Sequence, residues 1–93
     1  MMHTLKTDPG PFEAQMAGVK RFEFRCDDRT PRFEIGDALD LVENPPGEHR
    51  CFPRRLMVYV EYIVRGPAYG VPDGYCVMST SRAMQWWPGD DRT

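Results

Sequence analysis

The segment Lys20-Arg21-Phe22-Glu23-Phe24-Arg25-Cys26 decides how the rest of the chain is read. Its apolar and charged residues alternate one for one, the period of a strand and not of a helix. That alternation predicts Phe22, Phe24 and Cys26 on a core face and Arg21, Glu23 and Arg25 on the opposite face. Asp27-Asp28-Arg29-Thr30-Pro31 then makes a polar turn. Phe33-Glu34-Ile35 resumes a short apolar pattern, which Gly36-Asp37 breaks with turn chemistry. From Ala38 to Glu43, Leu39 and Leu41 share one face, with Ala38, Asp40 and Val42 on the other. Arg55 to Val64 is the longest strand candidate, rich in β-branched and aromatic residues. Its near-continuous apolarity suits a central strand covered on both faces, or one that crosses a barrel. A Gly/Pro-rich loop follows from Arg65 to Gly74, and Tyr75 to Ser79 reads as a final strand.

Towards the N-terminus, Met2 to Thr7 reads as a short strand ending at the turn cluster Asp8-Pro9-Gly10-Pro11. Asp8 is placed to cap a two-turn helix with proline in its first turn. Phe12, Met16 and Val19 are expected along one face of that helix, and Gly18 where a glycine ends it. About five strands, one short helix near the N-terminus and no βαβ alternation predict an α+β, mainly β, small and partly closed barrel. A chain of 93 residues has room for one core, and at that length only roughly 60% of the unfolded surface is buried.

The formal net charge is −2, which excludes a protein that coats nucleic acid indiscriminately through many phosphate contacts. The positive charge is grouped, however: Lys20, Arg21, Arg25, Arg29 and Arg32 in one segment, Arg50, Arg54 and Arg55 in a second. A local basic patch on a near-neutral body suits a site for one or two phosphates. Cys26, Cys51 and Cys76 form neither a disulfide framework nor a Cys-x-x-Cys half-site. They read as reduced thiols of a cytoplasmic protein, with Cys26 and Cys76 as small core residues. No apolar run reaches the ~20 residues of a membrane span, and the first residues lack the layout of a signal peptide. His49 sits in the Asn44–His49 loop with no Cys or Asp partner at ligand spacing, so no metal and no cofactor are expected. A Gly-rich phosphate loop, Gly-x-Ser-x-Gly and His-Glu-x-x-His are absent. Ser79 and Ser81 have no indicated base.

The order of several short motifs resembles the ASCH domains of the PUA-like superfamily. They are His3-x-Leu5-Lys6; Phe12-x-Ala14 with Gly18-x-Lys20-x-Phe22-Glu23-x-Arg25; Asp28-Arg29; Phe33-x-x-Gly36-Asp37-x-Leu39-x-Leu41-x-Glu43; and Gly74-Tyr75-x-Val77. More narrowly, the chain is similar to a small phage and bacterial branch whose function is unknown. The resemblance divides the chain into a domain over residues 1–80 and a C-terminal tail over 81–93. It implies a PUA-like pseudo-barrel with a cleft beside the first helix and the following strand, and RNA or a modified nucleoside as ligand. One ASCH group hydrolyses the amide of N4-acetylcytidine with a Lys, a Thr and a Glu, and another is reported to cleave RNA. Lys20 matches that Lys in its Gly-x-Lys turn, whereas the Thr position is occupied by Glu23.

Three functional expectations follow. The first is an RNA- or nucleotide-binding module whose ligand is held by His3, Lys6, Lys20, Glu23, Arg25, Arg29 and Tyr69. Arg25 and Glu23 would read a base edge or phosphate, and Tyr69 would stack as a lid. The second is a small hydrolase in which Lys20 activates water or attacks and Glu23 relays a proton. The third is a phage or bacterial accessory protein that meets a protein partner, or itself, through Trp86 and Trp87.

Overall fold

The computed structural model describes residues 1–47, 50–87 and 90–91. Glu48 and His49 of the expected loop, and Pro88, Gly89, Arg92 and Thr93 of the tail, lie outside the described residues. The elements in order are β1 (Met2–Thr7), α1 (Pro9–Met16), β2 (Phe22–Cys26), β3 (Ala38–Glu43), β4 (Arg50–Phe52), β5 (Arg55–Arg65), β6 (Tyr75–Thr80), β7 (Gln85–Trp87) and β8 (Asp90–Asp91). Five strands in the order β1-β3-β5-β6-β2 form a strongly curled sheet, a half-barrel. β7 adds to β5, and β4 pairs with β8 as a separate ribbon. β1 runs parallel to β3, and the other pairs are antiparallel. The mainly β architecture with one short N-terminal helix is therefore the one the sequence predicts.

β5 holds the sheet together because it is long enough to serve two neighbours. Its first half, Arg55 to Tyr59, pairs with β3, and its second half, Val60 to Arg65, pairs with β6. A bulge between Val60 and Tyr62 changes the phase of the strand. Before it, Leu56, Val58 and Val60 enter the core; after it, Ile63 packs there. This explains the near-continuous apolar pattern without two covered faces: Tyr59 and Tyr62 stand 38% and 63% exposed on the outer side. The strand is central, but it is covered on one face only.

The core is otherwise filled from β1, β3 and β6, with Phe12 of α1 and Phe33 of the β2–β3 connection fully buried. Phe33 thus enters the core from a segment outside any strand, while Ile35 stays 60% exposed. In α1, Asp8 occupies the N-cap position without a side-chain capping bond, proline fills the first turn, and Gly18 takes φ 78° just past the helix. Phe12 and Gln15 are its buried residues, and Met16 is packed in part against the core. Val19, expected on the same face, is 80% exposed because the helix has already ended.

In β2 the expected faces are exchanged. Phe22 and Phe24 are each 49% exposed and Cys26 is exposed, whereas Glu23 is 2% exposed. Period two fixes which residues share a face but not which face turns inward. Here the inner side of this edge strand meets polar partners from α1 and the α1–β2 turn, so a charged residue can be buried with its hydrogen bonds made. The phenylalanines find apolar company outside: Phe24 stacks on Tyr75 at 5.4 Å between ring centroids, and Lys20 Nζ lies 4.7 Å from the Phe22 ring centre. Of the two cysteines read as core residues, Cys76 is buried and Cys26 is not.

Candidate functional site

β1 and β2 are the two edges of the curled sheet, and they are not paired with each other. Between them lies a cleft of about 400 Å³, within the size range of small-molecule sites. One wall is the end of β1 and the start of α1: Lys6, Thr7, Asp8 and Pro11. The other is Lys20 with Phe22, Glu23, Phe24 and Arg25 of β2. Arg25 ties the end of β1 to β2. Arg25 Nη1 donates to the Lys6 carbonyl at 3.1 Å and Nη2 to Thr7 Oγ1 at 3.3 Å. A guanidinium thus joins the two edges where a closed barrel would have a backbone ladder.

Glu23 is the centre of this cluster. Its Oε2 accepts from Lys20 Nζ at 2.5 Å and Gln15 Nε2 at 2.9 Å. Its Oε1 accepts from Arg25 Nε at 3.0 Å and Nη2 at 2.8 Å. Burial alone would raise the Glu23 pKa. The bonds from Lys20 and Gln15, with the charges of Lys20 and Arg25, outweigh burial and hold the carboxyl below its ordinary range. Glu23 is therefore an ionised, fully engaged carboxylate. Such a group orients cations well and accepts a proton poorly. Lys20 Nζ also donates to the Phe22 carbonyl at 2.6 Å.

Of the residues expected to hold a ligand, the cleft brings together Lys6, Lys20, Glu23 and Arg25. His3 and Arg29 meet elsewhere. His3 Nε2 donates to Asp37 Oδ2 at 2.8 Å, and Arg29 Nη1 donates to His3 Nδ1 at 3.5 Å, with the Arg29 guanidinium over the Phe33 ring. Asp37 also accepts from the Glu34 N–H at 2.9 Å. Burial would raise the Asp37 pKa, but the His3 and Glu34 bonds and the nearby N-terminus hold it below the usual carboxylate range. Tyr69 stands on the tip of the β5–β6 loop, 96% exposed, with φ 50° followed by Gly70 at φ 82°. That pair of positive angles is the signature of a tight turn, and Tyr69 does not line the cleft.

The basic segments are divided among separate carboxylates. Arg32 and Arg65 share Asp27 at 2.6 and 2.8 Å. Arg54 binds Glu43 and Glu13, and Arg55 binds Asp40. Only Lys20 and Arg25 of the first segment reach the cleft. Sequence reasoning missed Gln15, Thr7, Phe22 and Phe24 at this site. Gln15 carried one signal: it stands three residues after Phe12, on the buried face of the helix. Trp86 and Trp87 lie on β7 and are 54% and 47% exposed. Among the described residues no three His, Cys, Asp or Glu side chains converge to hold a metal ion. No described helix is long and apolar enough to cross a membrane.

Fold and cleft together define a small β half-barrel whose unclosed seam carries a polar, partly aromatic site. The chain belongs to the family described as Domain of unknown function (DUF3850), whose model matches residues 2–80. The match spans both walls of the cleft and ends before β7. No curated protein matches the sequence.

Proposed function

We propose that this protein is a nucleotide- or RNA-binding module of PUA-like build, and that the seam cleft is its site. The observation that supports this reading is the cleft's lining: three cations, Lys6, Lys20 and Arg25, beside Phe22 and Phe24, each half-exposed. Two carboxylates, Asp8 and Glu23, share the lining, so the cleft carries a local excess of positive charge on a chain whose net charge is −2. Cations suit a phosphate and rings suit the face of a base. The position beside the first helix and the following strand is also the one the ASCH resemblance implies. The hydrolytic alternative needs Glu23 as a proton relay, and its four hydrogen bonds and lowered pKa weigh against that role.

The test is a thermal-shift screen with cytidine, N4-acetylcytidine, nucleoside monophosphates and short single-stranded RNAs. A ligand at 100 times its Kd adds about 2.7 kcal/mol, several degrees in a domain of this size. A stable shift supports the binding module. A shift with N4-acetylcytidine that fades as cytidine accumulates supports the hydrolase instead, and no shift across the panel rejects both.

A further inference from the structure

The outer face of β2, β6 and β5 is unpartnered and aromatic, and it begins inside the cleft. Phe22 and Phe24 belong to both: they line the cleft and face outward from β2. The β2–β6 register sets Phe22 beside Ser79, Phe24 beside Val77 and Cys26 beside Tyr75. The β5–β6 register continues the rows, with Tyr62 beside Ser79 and Val64 beside Val77. Direct partners in a sheet share a face, so Phe22, Phe24, Tyr75 and Tyr62 stand on one curved surface. All four are exposed, by 37% to 63%. Phe24 and Tyr75 already stack within 9° of parallel, and both remain partly exposed to solvent.

The edge of β2 adds a polar element. Backbone bonds join Arg21 to Thr80 of β6 and Asp27 to Gly74 just before it, and such bonds alternate along an antiparallel pair. The N–H and C=O of Phe24 therefore point away from β6, into the cleft. The Phe22 carbonyl does so too, and it accepts from Gln15 and Lys20. One residue thus offers a donor and an acceptor to a base edge within the cleft, while its ring opens onto the outer face.

Resting on the binding reading above, we infer that the ligand is a single-stranded nucleic acid of at least three nucleotides, not a free mononucleotide. One nucleotide sits in the cleft against Lys6, Lys20 and Arg25. The next bases leave over Phe24 and stack on the Phe24–Tyr75 pair. The charge layout favours this occupant over an apolar protein partner: the cations gather at one end of the aromatic strip, where a phosphate backbone would enter.

The experiment is fluorescence anisotropy at low salt with labelled oligouridine and oligothymidine of one, three and six nucleotides. Affinity is expected to rise at least tenfold from one to three nucleotides, since each stacked base contributes on the order of tenfold. Tyr75→Leu is expected to lose about tenfold on the longer strands and nothing on the mononucleotide, while Tyr75→Phe keeps wild-type affinity. The RNA and DNA arms decide which strand is the ligand. Length-independent binding, or equal loss in the Leu and Phe variants, overturns the stacking path but leaves the cleft reading intact. Absence of binding at every length overturns both. A dimer seen by sedimentation that Phe24→Ser dissolves, without any effect of oligonucleotide, assigns the face to self-association and overturns the inference.

Discussion

At His3 the edge strand β1 meets Asp37, and four residues later, roughly 13 Å along the strand, Thr7 meets Arg25. Leu5 lies between them in the apolar core. Both ends bury a carboxylate against cationic or ring donors, yet they differ in what remains available. The His3 end is the more closed: His3, Phe33 and Asp37 are all buried, and Asp37 is occupied by the imidazole, the Glu34 N–H and the N-terminal ammonium at 3.5 Å. The Thr7 end is open: Lys6 is exposed, and Lys20 and Arg25 keep 18% and 25% of their side chains in solvent. The same chemistry serves as a clasp at one end and as the rim of a cleft at the other. A buried polar cluster becomes a site only when some of its donors still face water.

The largest effect expected of this contrast is at Glu23. Glu23→Ala leaves Lys20, Arg25 and Gln15 without their shared acceptor, and losing one partner of a buried pair costs about 3 kcal/mol or more. Urea denaturation should show a midpoint far below wild type. A loss under 1 kcal/mol would mean that solvent replaces the carboxylate and that the cluster is not buried. Asp37→Ala should cost about 2 kcal/mol through the lost His3 and Glu34 bonds, while nucleotide affinity stays within twofold. A fall in affinity there would break the division between clasp and rim.

Acid should weaken both ends. Glu23 and Asp37 have folded pKa values below the ordinary values of a glutamate and an aspartate. The stability each contributes is complete above those values and is lost as pH falls through the folded pKa. Denaturation midpoints measured from pH 7 to pH 2 should therefore hold level and then fall below about pH 4.5. Glu23→Gln and Asp37→Asn should each remove part of that fall. An acid limb unchanged in both variants would refute the assignment.

Smaller still are the effects of two exposed or half-buried cations, and they sharpen the contrast most. Lys6→Glu should leave the denaturation midpoint unchanged, weaken nucleotide or RNA binding, and lower the salt slope of binding by about 1. Arg29→Ala, at the closed end, should cost no more than about 1 kcal/mol and leave affinity untouched. If the two variants exchange these behaviours, the ligand lies at the His3 end.

These residues also show how far the sequence could be read. The strands β1, β2, β3, β5 and β6 and the helix were legible because period, proline and glycine are local properties. The Lys20, Glu23 and Arg25 grouping was legible because three charges within six residues must lie close together. Phe33 and Gln15 were not, since Phe33 is buried by partners distant in sequence and Gln15 by the turn that folds β2 back against α1. The division of the arginines was equally hidden: Arg54 finds Glu43 and Glu13, and Arg65 finds Asp27, pairings that exist only once β3, β5 and the helix are packed. Much of what looked like a basic patch is taken up in such pairs, while Lys20 and Arg25 share one carboxylate.

The alternation in Lys20 to Cys26 carries the same lesson in one strand. By itself the sequence determined that Phe22 and Phe24 share one face and Glu23 and Arg25 the other, because successive side chains on a strand must point to opposite sides. Only the tertiary structure decided which face turned inward. The inner side of an edge strand is defined by what packs against it, and here that is Gln15, Lys20 and the end of β1. With four hydrogen bonds waiting for one carboxylate, burying Glu23 became favourable, and the phenylalanines were left at the surface.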